Sequence, residues 1–142
     1  MRTVLTAIVM VAALPALSAE RPAQDTQLEG FMQRLALRIN DYRQQQGLEP
    51  LELSDELVRL AAEHSQEMAE RRQLSHEGFR ERRRRTQSRI CVENVAHNFP
   101  TPETLLDGWR RSPSHDRNLV EPKVVRMGLA GTARYVTFFA CR

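Results

Sequence analysis

Glu93 and Asn94 stand inside the run Ile90-Cys91-Val92-Glu93-Asn94-Val95-Ala96, and a carboxylate and an amide in so apolar a stretch restrict the fold more than any other feature of the chain. β-Branched and small residues between the polar segment ending at Arg89 and the turn-prone Asn98-Phe99-Pro100 predict a buried strand. An ionised Glu93 there loses hydration worth on the order of several kcal/mol unless histidine, metal or backbone donors meet it. Two histidines flank it as candidate partners. His76 lies in Leu74-Ser75-His76-Glu77-Gly78-Phe79, and His115 in Ser112-Pro113-Ser114-His115-Asp116-Arg117-Asn118.

The chain opens with Met1-Arg2, an apolar run from Thr3 to Leu14, and Pro15-Ala16-Leu17-Ser18-Ala19 before Glu20-Arg21. One basic residue, a short apolar core and small residues at its end form the layout of a secretory leader, too short to span a bilayer stably. Residues 1–19 are therefore expected to be a signal peptide cut after Ser18 or Ala19, followed by a short extension over 20–26 and one domain over 27–142. No cysteine adjoins the cut and no Arg-Arg pair precedes the run, which disfavours lipid anchoring and twin-arginine export. The expected location is secreted or periplasmic, without a transmembrane segment after cleavage.

What remains is enough for one core and too little for two. The formal charge of +3 falls to +2 once Arg2 leaves with the leader, and the basic cluster Arg80 to Arg85, broken only by Glu81, carries no interleaved aromatics. It reads as a solvated face, and no nucleic-acid partner is expected. Cys91 and Cys141 are the two cysteines, both in strand-like segments. In an oxidising compartment they are expected to pair, and closing so long a loop stabilises a fold by roughly 4 kcal/mol in the chain-entropy model.

Apolar residues at Leu28, Phe31, Met32, Leu35, Ile39 and Tyr42 predict a first helix over Gln27 to Gln46, ended by Gly47 and followed by the extended link Leu48-Glu49-Pro50-Leu51. Ser54 is placed to cap a second helix, with Asp55 and Glu56 in its first turn and Leu57, Leu60, Ala61, His64 and Met68 as its stripe. His64 lies on that stripe and reads as a core or boundary histidine. Ala69 to Arg89 is basic and polar, anchored by Leu74 and Phe79. Thr101-Pro102-Glu103 starts a third helix running to Arg111, with Leu105, Leu106 and Trp109 inward. Ser112-Pro113 stops it, which leaves His115 in a loop or short turn. Val124 to Ala130 and Arg134 to Cys141 read as a hairpin turning at Gly131-Thr132. Trp109, Phe138 and Phe139 are expected in the core, and His97 at an exposed strand end.

Several of these segments occur in an order that resembles the CAP superfamily of cysteine-rich secretory proteins, antigen 5 and pathogenesis-related proteins, in its short bacterial SCP-like branch. They are Ile39-Asn40-Asp41-Tyr42-Arg43 with Gly47-Leu48-Glu49-Pro50-Leu51, Ala61-Ala62-Glu63-His64-Ser65, Ser75-His76, Glu93-Asn94-Val95-Ala96, Trp109, and Ser112 through Leu119. The resemblance implies an α+β fold, a three-layer α-β-α sandwich with a small antiparallel sheet, and an open cleft in which His76, Glu93 and His115 take the family's histidine and acid positions. A second glutamate shortly after the tryptophan, seen in larger relatives, is replaced here by Arg110-Arg111-Ser112.

Two imidazoles and a carboxylate can hold Zn2+ or another divalent cation with water in the fourth position, or act as an acid/base cluster without metal. No HExxH spacing fixes two ligands on one helix, and no nucleophile-elbow sequence surrounds Ser75, Ser112 or Ser114. Glu93 can equally lock the sheet to its loops, with Asn94 bonded to backbone groups. Three functions follow: a monomeric binding module for a lipid, sterol or cell-envelope ligand, which the resemblance favours; a metal-assisted peptidase or esterase using His76, Glu93 and His115; or a structural or defence protein with a vestigial cleft.

Overall fold

Residues 23–132 and 134–142 are described by a computed structural model of the chain. The expected leader lies outside them. In chain order the elements are α1 (Ala23–Gln45), β1 (Glu52–Leu53), α2 (Asp55–Arg71), α3 (Phe79–Arg85), β2 (Cys91–His97), α4 (Pro102–Arg110), α5 (Pro113–Leu119), β3 (Arg126–Thr132) and β4 (Tyr135–Cys141). The strands form one sheet in the order β1-β3-β4-β2. β2 and β3 each pair antiparallel with β4, and β1 adds a two-residue parallel pair on β3.

Alternation along the strands sends side chains into two helical layers. Val136, Phe138 and Ala140 of β4 join Met127 and Leu129 of β3 in a core shared with Leu35, Ile39 and Tyr42 of α1, Leu105 and Trp109 of α4, and Leu119 of α5. Phe139 and Cys141 face the other way, onto Leu57, Leu60 and Ala61 of α2. Beside them Ser65 of α2 bonds the Thr137 hydroxyl at 2.9 Å and the Ala130 carbonyl at 3.1 Å, so the buried hydroxyls satisfy each other. The result is an α+β fold with the sheet between helical layers, as expected. Cys91 and Cys141 are joined in a disulfide at directly paired positions of β2 and β4.

Several boundaries differ from the sequence reading. The first helix starts at Ala23 rather than Gln27. Ser54 occupies the N-cap of α2 with extended backbone but makes no side-chain cap; its N–H instead donates to the Met127 carbonyl at 2.9 Å, because β1 enters the sheet there. Thr101 does cap α4, in a reciprocal box with Thr104. The polar stretch after Ala69 contains a helix, α3, and His115 lies on a helix, α5, rather than in a loop. The hairpin turns two residues later than expected, since Gly131 and Thr132 pair with Val136 and Tyr135. Arg43 of α1 is fully buried, its guanidinium donating to the carbonyls of Glu49, Leu119 and Glu121 at 2.8–3.1 Å, which ties the end of α1 to the end of α5.

α2 lies directly on β3 because Gly128 has no side chain. A Cβ built there would overlap the Leu57 carbonyl and the Val58 amide nitrogen, which are backbone atoms that cannot rotate away. Gly128→Ala is therefore expected to destabilise the fold by about 3 kcal/mol, the upper part of the range for overpacking. Urea unfolding monitored by circular dichroism checks it, and a loss under about 1 kcal/mol would mean that α2 is not seated on the strand.

Candidate functional site

Along β2, Glu93 and Asn94 point to opposite layers, and each is answered by a different helix. Glu93 faces the α2 layer and is 5% exposed. α3 approaches it there, pinned to the sheet by Phe79, whose ring stands edge-on to Phe139 with centroids 6.2 Å apart. One turn later Arg82 reaches inward and grips the carboxylate in a fork, Nε to Oε2 and Nη2 to Oε1, each at 2.9 Å. Its Nη1 donates to the Glu77 carbonyl at 2.8 Å. Gly78, in the left-handed region at φ 76°, starts α3, and a Cβ there would stand 3.0 Å from that Nη1.

Arg82 is the residue that the sequence reading missed. Four of the five arginines between Arg80 and Arg85 are exposed as expected, but Arg82 is 5% exposed and supplies the cation that a buried glutamate requires. The available signal was its place one helical turn after the anchoring Phe79.

His76 completes the carboxylate's environment. Its Nδ1 lies 3.0 Å from Glu93 Oε1; a carboxylate held by a guanidinium only accepts, so Nδ1 carries the proton and Nε2 is the nitrogen left to the solvent side. His64, buried as expected, helps to hold this loop: its Nε2 donates to the Ser75 carbonyl at 2.7 Å, and it sits 3.8 Å from Glu93 Oε1.

Asn94, fully buried, faces the other layer. Its Nδ2 donates to the His115 carbonyl at 3.0 Å, while Asn118 donates to both Asn94 Oδ1 and the Glu93 carbonyl, at 2.8 and 2.9 Å. α5 is thereby fixed against the edge strand with His115 half-buried beside His76, the ring centroids 6.5 Å apart. The His115 imidazole titrates below its ordinary value, because burial disfavours the cation and the neighbouring His76 adds repulsion. His97 is exposed and stacks on Tyr135 at 4.3 Å, away from this cluster.

The three expected site residues thus come together, but not as a three-ligand set. Both oxygens of Glu93 are engaged by Arg82, and His76 Nδ1 is committed to Oε1, which leaves His76 Nε2 and the His115 ring as the available donors. Among the described residues no group of three or more His, Cys, Asp or Glu is placed to hold a metal ion. The donor set therefore does not fit a zinc ion bound through Glu93. Ser112 and Ser114 bond each other at 3.3 Å, and the Ser75 hydroxyl accepts from the Glu77 N–H. An open groove of about 780 Å³ runs past the cluster, lined by His76, Phe79, Arg80, Glu81, Glu93 and Asn118 among others.

Comparison with known proteins places this arrangement. The chain is 26% identical over 109 residues to the uncharacterized protein YkwD of Bacillus subtilis, an alignment covering 72% of this chain and 42% of that protein. An extracellular protein containing an SCP domain from Bacillus anthracis superposes with a TM-score of 0.78 at 22% identity, covering 88% of this chain and 45% of the other. A cysteine-rich secretory protein from Staphylococcus aureus gives 0.76 at 22% identity, with 86% and 40% covered. An outer surface protein from Borrelia burgdorferi gives 0.71 at 23% identity, with 80% and 94% covered. The chain spans less than half the length of the Bacillus subtilis relative and of the first two of these structures. The CAP family, described as the cysteine-rich secretory protein family, matches residues 37–135, more than half of the chain, and the protein belongs to that family.

Proposed function

We propose that this protein is an exported CAP-domain binding module that seats a cell-envelope or lipid ligand in the groove along β2, contacting it through His76 and His115. The observation that carries the reading is the Arg82 fork on Glu93. It commits the one carboxylate of the cluster to a structural role and leaves two imidazoles held from opposite layers, His76 at the wall of an open groove and His115 with its ring centroid 6.5 Å from that of His76. The names of similar proteins, extracellular in Bacillus anthracis and outer-surface in Borrelia burgdorferi, support export. So does the leader-like start of the sequence, and no described helix is long and apolar enough to cross a membrane. A metal-assisted hydrolase is the weaker reading, because its third ligand is taken.

The test uses two probes, purified peptidoglycan and phosphatidylglycerol vesicles, each in co-sedimentation with wild type, His76→Ala and His115→Ala. Retention on at least one probe that falls about tenfold or more in both variants, with circular dichroism unchanged, is the expected result. Equal retention of all three would overturn the reading. Turnover of a p-nitrophenyl ester that needs His115 and added zinc would put the hydrolase in its place.

Arg82→Met leaves Glu93 buried without its cation and should cost about 3–5 kcal/mol in urea unfolding. The double variant Arg82→Met/Glu93→Met removes the stranded charge and should recover most of that loss, whereas additive losses would show that the two side chains do not act as a pair.

Stability should also depend on pH through His115. Its folded value lies below the ordinary 6.5, so between the two the unfolded chain binds more protons. The stability is full above about 6.5 and falls as pH drops through the folded value. Urea midpoints at about pH 8 and pH 5.5 should differ more for wild type than for His115→Asn, and identical differences would contradict the assignment.

A further inference from the structure

The charges that line the groove do not cancel. Two carboxylates border it, Glu93 and Glu81. Glu93 is forked by Arg82, and Glu81 is forked by Arg84 on the same helix, at 2.7 and 2.9 Å. Both are spoken for by guanidinium groups that hold them on α3 or beneath it. Arg85 is turned back to Glu63 of α2, and Arg71 to Glu77. Arg80 is the exception. It is exposed, lines the same groove as His76, and among the described residues its guanidinium has no hydrogen-bond or ion-pair partner; the same holds for Arg83, one turn along α3. The surrounding segment from Arg71 to Arg89 holds eight arginines against two glutamates, more positive charge than the net +3 of the whole chain.

We infer that the groove takes a ligand through an anionic group, a phosphate or a carboxylate, that pairs with Arg80 and lies against His76 Nε2. The inference deepens the binding reading above and rests on it. A free guanidinium offers a planar pair of N–H donors to such a group, and the imidazole supplies a further contact from the wall of the groove. A cation would meet Arg80 and find no free carboxylate. An uncharged ligand would leave Arg80 without a role.

Inorganic phosphate and acetate are the probes, titrated separately into isotope-labelled protein while the ring signals of His76 and His115 are followed by NMR. A saturable shift of the His76 signal with at least one anion is expected. Arg80→Gln should raise its half-saturation concentration about fivefold or more, Arg80→Lys should recover part of that loss, and Lys123→Gln should leave it unchanged. Raising the ionic strength from about 0.02 M to 0.2 M should weaken the binding. A response to phosphate alone assigns a phosphate-bearing ligand, and one to acetate alone a carboxylate. No saturable shift with either anion, or an Arg80→Gln titration equal to wild type, would overturn the inference. If either result accompanied histidine-dependent retention on peptidoglycan or vesicles, the anionic class would fail while the binding reading stood. If retention were histidine-independent as well, both would fail.

Discussion

Burying the Glu93 carboxylate in the edge strand sets a requirement that much of the surrounding architecture meets. A lone charge in that position would cost several kcal/mol, and the strand's own neighbours on β4 offer no cation there, since the paired residue is Phe139. The cation has to arrive from outside the sheet. α3 delivers it: Phe79 packs on Phe139, the helix turns once, and Arg82 enters. The third bond of that guanidinium, to the Glu77 carbonyl, fastens the loop that carries His76. One ion pair therefore seats a helix, a loop and an imidazole together. Pairs of this kind add little net stability compared with apolar packing; here the gain is a fixed geometry.

The position of β2 at the sheet edge explains why residues from both helical layers can meet. A central strand would separate them, because Glu93 and Asn94 project to opposite faces. At the edge, α5 can close over the strand's side as well as its face. Asn118 takes the Glu93 carbonyl, and the Trp109 indole N–H takes the Val95 carbonyl at 3.2 Å. These two side chains occupy acceptors that an uncovered edge strand would present to another chain. Edge protection and delivery of His115 are consequences of the same packing of α4 and α5 against β2.

Elements with a long apolar period were legible in the sequence. The stripes from Leu28 to Tyr42 and from Leu57 to Met68 identify α1 and α2, and Thr101-Pro102-Glu103 identifies the start of α4. The short pieces were not. α3 has one apolar residue in seven, so its inward face is completed by an arginine and no hydrophobic period exists to be read. The two residues of β1 are exposed and owe their strand character to the backbone of β3. At the site, the sequence showed that Glu93 needed a partner and named His76 correctly as one. It could not show which cation answers, because a run of five arginines in six positions looks solvated until its helical phase relative to Phe79 is known.

A guanidinium at Glu93 has different chemical consequences from a metal ion. Its charge is permanent, its donors are directional, and it has no open coordination position at which water could be activated. Glu93 holds His76 by Nδ1 and so turns Nε2 outward, while burial and the proximity of His76 favour the neutral form of His115. A charge on one ring opposes a charge on the other. The fork that occupies both oxygens of Glu93 thus leaves the groove poorly suited to a cation, while His76 Nε2 and the exposed Arg80 stay open to an anionic group.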